Sequence, residues 1–175
     1  IYPLIGGWTA MVGIAFILHF GIIHLLAVAW RRAEVNVTPI MHAPILSNSV
    51  SDFWSRRWNL AVRDLVHRFV FRPVSVRFGP RCAMWTVFLL SGLMHDFVIS
   101  LTARGGYGLP TLYFVLQGAA MSLERSQFGK RIGLRGGIVG RMFAALVVVV
   151  PMGLLFPPVF VERVVLPMLE SLSVT

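Results

Sequence analysis

Charge is scarce in this chain. Only 13% of its 175 residues are Asp, Glu, Lys or Arg, against 57% hydrophobic, and the mean hydropathy is +0.77. Soluble domains run at roughly 45–50% apolar and about 25% charged, so the composition excludes an ordinary soluble domain and indicates a membrane protein. A single cysteine, Cys82, excludes an internal disulfide framework and reads as a small packing residue at the head of an apolar block. Acidic residues are few, and the net charge is +9. The basic residues lie between the apolar blocks, as cytoplasmic loop charges do, so no nucleic-acid partner is expected. Several chemistries lack their residues. No H-x-x-x-H pair is present for a di-iron hydroxylase, and no H-E-x-x-H for a zinc protease; no G-x-S-x-G elbow, P-loop or G-x-G-x-x-G occurs. No metal site is expected. The chain starts at Ile1 without a basic n-region or a small-residue cleavage site, and a piece of a longer protein, with helices missing upstream, is the expectation.

What is present is a set of long apolar blocks, at 8–30, 82–103, 109–123 and 138–161. A crossing needs about 20 apolar residues. The expected fold is therefore all-α: one polytopic membrane domain over 1–175, with about four transmembrane helices and an interfacial amphipathic helix over 52–72. The block at 109–123 is short and spans only if the bilayer thins or neighbours tilt. Pro151 and Pro157-Pro158 interrupt the last block, which reads as a kinked span whose freed carbonyls need partners from neighbouring helices. His19 and His24 point to opposite sides of the first block and read as packing residues. Nine Lys/Arg lie in 31–81, one in 104–108 and five in 124–141. With four crossings the two rich segments share a side, which the positive-inside rule makes cytoplasmic, in a bacterial inner membrane or the endoplasmic reticulum.

The stretch 52–72 is neither loop-like nor apolar enough to span. Wound at 100° per residue, Asp52, Arg56, Asn59, Arg63 and His67 form one polar stripe, opposite Trp54, Trp58, Ala61, Leu65 and Phe69. Pro73 is expected to close this helix. Such a helix suits an interface. Asn59 is the odd member: a neutral amide adds no attraction to lipid but offers both a donor and an acceptor to a substrate. A surface Asn bonded to water is the plain alternative. His95 and Asp96 lie near the middle of the block 82–103, where ionisable groups are costly and mark function. Ser91 and Gly92, one turn earlier, leave room beside the imidazole or allow a close helix contact. A neutral imidazole there is a competent general base for a hydroxyl proton. A histidine bonded between helices is its alternative.

Taken together, SDFWSRRWN at 51–59 and SGLMHD at 91–96 resemble the membrane-bound O-acyltransferases, most closely their wax-synthase-type branch. There an F-W-x-R-R-W-N/H-like segment precedes S-G-x-x-H-[ED] in an apolar helix. The likeness covers roughly 40–125. It implies acyl transfer from acyl-CoA to a hydroxyl acceptor, a long-chain or other lipid alcohol, in a helical membrane chamber. It also implies His95 as base and Asn59 as its catalytic partner. Arg56, Arg57, Trp58, Arg63, Ser91 and Asp96 would line the substrate site, the arginines meeting the phosphates of CoA. Acyl-CoA is a co-substrate, and no cofactor is implied. The family has more spans than four, which fits the expectation of a catalytic C-terminal part.

Two rivals stand beside this reading. A proton-coupled transporter would use His95 and Asp96 as a relay. A non-catalytic scaffold would hold anionic lipid by its basic helix.

Overall fold

The computed structural model describes residues 2–17, 23–34 and 40–173. His19 and the loop residues 35–39 lie outside that range, so the expected span over 8–30 is described only in its two parts, α1 (Tyr2–Phe16) and α2 (Ile23–Arg32). Among the described residues the fold is entirely helical, with no strand. After a short 3-10 turn at Pro44–Leu46 come α3 (Val50–Asp52), α4 (Leu60–Val66), α5 (Arg72–His95) and α6 (Leu101–Ala103). Next are α7 (Leu109–Arg125), α8 (Gln127–Arg131), α9 (Gly137–Val149), α10 (Met152–Leu155), α11 (Pro158–Phe160) and α12 (Leu166–Ser173). Wider π-type turns occupy Phe53–Arg57, His67–Phe71, Asp96–Ser100 and Val161–Val165.

Among the described residues, two stretches are long and apolar enough to cross a bilayer, Leu60–Ala103 and Gly137–Leu155. At 17 residues α7 is shorter, as is the apolar part of α1, Leu4–Ile14. The helical type and apolar character match the expectation, with two stretches of crossing length among the described residues.

The stretch 52–72 differs from the single amphipathic helix expected there. Ser49 caps α3 by accepting the Asp52 N–H at 3.0 Å, and the chain then turns through the π turn Phe53–Arg57. It breaks at Trp58, which is extended, and Asn59, which is left-handed with φ 41°. Helix resumes at Leu60. The i→i+5 bonds of a π turn and the break both upset a 100° winding, so the stripe from Asp52 through Asn59 to His67 does not exist as one face. Val50 and Phe53 are buried, and Trp54 packs beside the core. The start of the segment, with α3, is thus wedged against α7 and α9, whereas 61–69 stay mostly exposed. Irregular backbone at a membrane is tolerated where protein covers it.

Pro73 does not end the helix either. It stands at the first positions of α5, just after the π turn His67–Phe71, where the hydrogen-bond register changes and a missing N–H matters least. The true break comes at Gly79, whose φ of 85° suits glycine alone, directly before Pro80.

The centre of the molecule is the antiparallel pair α5 and α7. Small residues let these helices meet. A Cβ on Gly92 would lie 2.8 Å from the Thr111 Cα, and one on Gly118 would lie 3.0 Å from the Trp85 ring. Around this seam Val50, Met84, Phe88, Tyr113, Phe114, Ala120, Met121 and Ala144 form the core. Burial of this kind offers no hydrophobic gain inside lipid, so close packing and interhelical hydrogen bonds must hold the pair together.

The kink in the last block has its carbonyls satisfied as expected. Pro151 has no N–H to give Val147, four residues earlier. The buried Gln117 of α7 donates its Nε2 to that Val147 carbonyl at 2.8 Å, and the Tyr113 hydroxyl donates to the next carbonyl, Val148, at 3.1 Å.

Candidate active site

His95 ends α5, half-buried, with its ring 4.6 Å from that of Phe114 on α7. Its Nδ1 lies 2.7 Å from the Ser91 carbonyl oxygen. A carbonyl can only accept, so Nδ1 carries the proton and donates; in the neutral ring Nε2 is then the lone-pair nitrogen. Ser91 therefore acts through its backbone. It sets the tautomer, leaving the lone pair on Nε2.

Asp96 has a different task from its neighbour. Its Oδ1 accepts from the Ser100 hydroxyl and the Gly108 N–H, both at 2.8 Å. Its Oδ2 accepts from the Thr111 N–H at 3.1 Å and from the Thr111 hydroxyl. Gly108 and Thr111 belong to the first turn of α7, where backbone donors lack partners and a negative charge is favoured. The carboxylate thus clasps the start of α7 to the end of α5, and holds Phe114 one turn further along against His95.

On the other side, Trp54 reaches the same place. Its ring is 5.7 Å from Phe114 and 6.0 Å from Phe88, and its Nε1 donates to the Gln117 Oε1 at 3.2 Å. Phe53 touches Trp54 at 5.1 Å edge-on and stacks on Trp58 at 5.3 Å. A run of rings, Trp58–Phe53–Trp54–Phe114–His95, therefore joins the two motif segments. Asn59 directly follows Trp58. No hydrogen bond joins Asn59 to His95 among the described residues. Its Oδ1 instead accepts the Val62 N–H at 3.3 Å as the cap of α4, and its own N–H points to the Met41 sulfur at 3.3 Å. Asparagine tolerates the left-handed conformation better than most side chains. The two Nδ2 protons have no hydrogen-bond partner among the described residues.

The arginines divide. Arg57 is held inside the fold: its Nε pairs with Asp52 at 2.7 Å, and its Nη1 reaches the Ala43 and His42 carbonyls at 3.2 and 3.4 Å. Burial alone would raise the Asp52 pKa, but the Arg57 hydrogen bond, the Asn48 N–H and the charges of Arg57 and Arg56 together hold it below the ordinary value. Arg63 pairs with the adjacent Asp64 at 3.0 Å on the surface, a contact worth little. Arg56 is exposed.

Sequence reasoning missed Trp54 as a member of the site, and with it Phe114, Thr111 and Gln117. One signal was available for Gln117: an uncharged amide inside an apolar helix needs a polar partner.

Helices apolar enough to cross a bilayer, with His95 and Asp96 placed where α5 packs on α7, define a helical membrane protein. Residues 37–116 match the membrane bound O-acyl transferase family. It is 32% identical over 148 residues to a long-chain-alcohol O-fatty-acyltransferase of Simmondsia chinensis, covering 78% of this chain and 42% of the relative. A probable long-chain-alcohol O-fatty-acyltransferase 9 of Arabidopsis thaliana is 32% identical over 140 residues, 73% of this chain and 41% of the relative. An acyl-CoA–sterol O-acyltransferase 1 of Arabidopsis thaliana is 32% identical over 79 residues, 41% of this chain and 23% of the relative. The chain thus spans about two fifths of the length of the first two relatives. No solved structure gives a significant match.

Proposed function

We propose that this chain carries the reacting centre of an O-acyltransferase that moves an acyl group from acyl-CoA to the hydroxyl of a lipid alcohol, with His95 as general base. The observation that carries the reading is the Nδ1–H bond from His95 to the Ser91 carbonyl, which turns Nε2 into the acceptor nitrogen. The names of the relatives, long-chain-alcohol O-fatty-acyltransferases among them, supply the substrate class. Nε2 takes the proton of the acceptor hydroxyl as its oxygen attacks the thioester carbonyl. The C–S bond then breaks, and the departing CoA sulfur takes up the proton, leaving an ester and free CoA. Base assistance of this sort is worth about 10²–10⁴-fold; alignment of the two substrates has to supply much of the rest.

Asn59 enters through its two Nδ2 protons, which orient the acceptor or stabilise the developing oxyanion. Arg56 is the exposed cation available to the CoA phosphates; Arg57 and Arg63 add positive potential while held by Asp52 and Asp64. Four crossings with the basic segments 31–81 and 124–141 on the cytoplasmic side remain part of this proposal. A relay through His95 and Asp96, as a transporter would need, is disfavoured because the Asp96 carboxylate is already engaged by Ser100, Gly108 and Thr111.

The test is His95→Ala in the intact membrane protein, with folding checked by melting. Ester formation from labelled acyl-CoA and a long-chain alcohol should drop at least 10²-fold. Undiminished ester formation would rule out the base.

A further inference from the structure

Gln117 has no part in the chemistry above, yet it is fully buried and uses both ends of its amide. Its Nε2 holds the Val147 carbonyl that Pro151 leaves without an N–H, and its Oε1 holds the Trp54 indole. Trp54 in turn presses on Phe114, whose ring lies against His95. We propose that Gln117 is a positioning residue: by tying the kink of α9 to Trp54, it fixes the ring stack that orients the His95 imidazole. This rests on His95 acting as the base.

Three features favour Gln117 over a merely structural amide. The side chain sits where α7, α9 and the 53–57 turn meet, so one residue sets the register of three elements. An amide has a donor and an acceptor at opposite ends of a rigid plane, and here each end has a partner of the right kind. The indole N–H has Gln117 as its acceptor, so without Gln117 the ring is held by packing alone. Rotation of Trp54 would be passed to Phe114 and then to His95 through direct ring contact.

Tyr113 provides the control. Its hydroxyl bonds the Val148 carbonyl across the same α7–α9 seam, next to the Gln117 contact, while its ring stands edge-on to Phe114 at 5.3 Å, a contact that a Phe ring retains. Tyr113→Phe therefore loosens the seam without freeing the indole. Gln117→Met fills the space without hydrogen bonds, and Trp54→Phe removes the indole donor from the other side.

The experiment measures kcat, KM and melting for these variants, for the Gln117→Met/Trp54→Phe double variant and for His95→Ala, in the intact protein with labelled acyl-CoA and a long-chain alcohol. Misplacing a reacting group by an ångström lowers rates by about 10²-fold, and a partial rotation is expected to give about 10-fold. Gln117→Met and Trp54→Phe should each lower kcat by that amount with KM little changed. The double variant should lose no more than either alone, because both remove one link. Tyr113→Phe should melt lower and keep its kcat. Unchanged kcat in Gln117→Met, independent losses multiplying in the double variant, or an equal kcat loss in Tyr113→Phe would each overturn the inference. Should Gln117→Met fail to fold, the kcat of Trp54→Phe decides, a value equal to wild type being the refutation. Activity surviving in His95→Ala would instead overturn the base itself, whatever the other variants do.

Discussion

Asn59 stands where two roles overlap, and three substitutions separate them. Its left-handed φ of 41° and its Oδ1 bond to the Val62 N–H are structural; its free Nδ2 protons are the part assigned to chemistry. Asn59→Asp keeps an oxygen for the cap and a residue type that accepts the left-handed region, but an ionised Asp has no donor. Asn59→Gly keeps the backbone conformation and loses only a few tenths of a kcal/mol of capping. Asn59→Ala loses a cap worth about 1 kcal/mol and forces alanine into the left-handed region at about 1–2 kcal/mol more, so about 2–3 kcal/mol is expected. Loss of one donor to an oxyanion lowers kcat by about 10²–10³-fold. The assays are melting in detergent and ester formation from labelled acyl-CoA. Asn59→Asp and Asn59→Gly should melt close to wild type while losing about 10²-fold in kcat, and Asn59→Ala should lose both. Wild-type kcat in either Asn59→Asp or Asn59→Gly would reduce Asn59 to a cap and refute the chemical role.

Two further outcomes follow from the packing and the charges. Gly92→Ala places a methyl 2.8 Å from the Thr111 Cα, which only a separation of α5 and α7 can relieve. A loss of about 1–3 kcal/mol is expected, read as a lower melting temperature, and an unaltered melt would show that the seam is loose. Asp52 has a pKa held below its ordinary 3.8, so its pairing with Arg57 stabilises the fold fully above that value and is lost as pH falls through the lower, folded-state pKa. Asp52→Asn should therefore melt lower than wild type at pH 7, with the gap closing in strong acid; a gap independent of pH would contradict the pairing.

Much of the helical plan was open to reading. The blocks 82–103 and 109–123 become the end of the Leu60–Ala103 helix and α7 because apolar runs free of charge have few other options near lipid. The kink at Pro151 was equally visible, although which residues would serve its free carbonyls was not. The stretch 52–72 was less legible. A fixed 100° winding presumes unbroken helix, whereas the π turn at Phe53–Arg57 and the reversal at Asn59 follow from contacts to α7 and to residues 40–43 that lie far off in sequence. Asp96 shows the same limit. Its position in an apolar helix marks it as special, but its partners Gly108 and Thr111 come from the next helix and decide that it clasps α7 to α5. That His95 falls in an apolar helix was legible, while the neighbour that faces it, Phe114, emerges only from the crossing of α5 and α7.

The break at Gly79 also acts as a depth gauge. His95 lies fifteen residues beyond Pro80 in α5, about 22 Å along the axis at 1.5 Å per residue. In the proposed arrangement, with the arginine-rich end at the bilayer surface, the imidazole would stand beyond the midpoint of a hydrocarbon layer about 30 Å thick. A donor that leaves its charged end in water must then deliver its carbonyl on a slender arm roughly that long, whereas an alcohol can slide in sideways from the acyl chains. Reach, as much as affinity, would then sort the molecules that meet at His95.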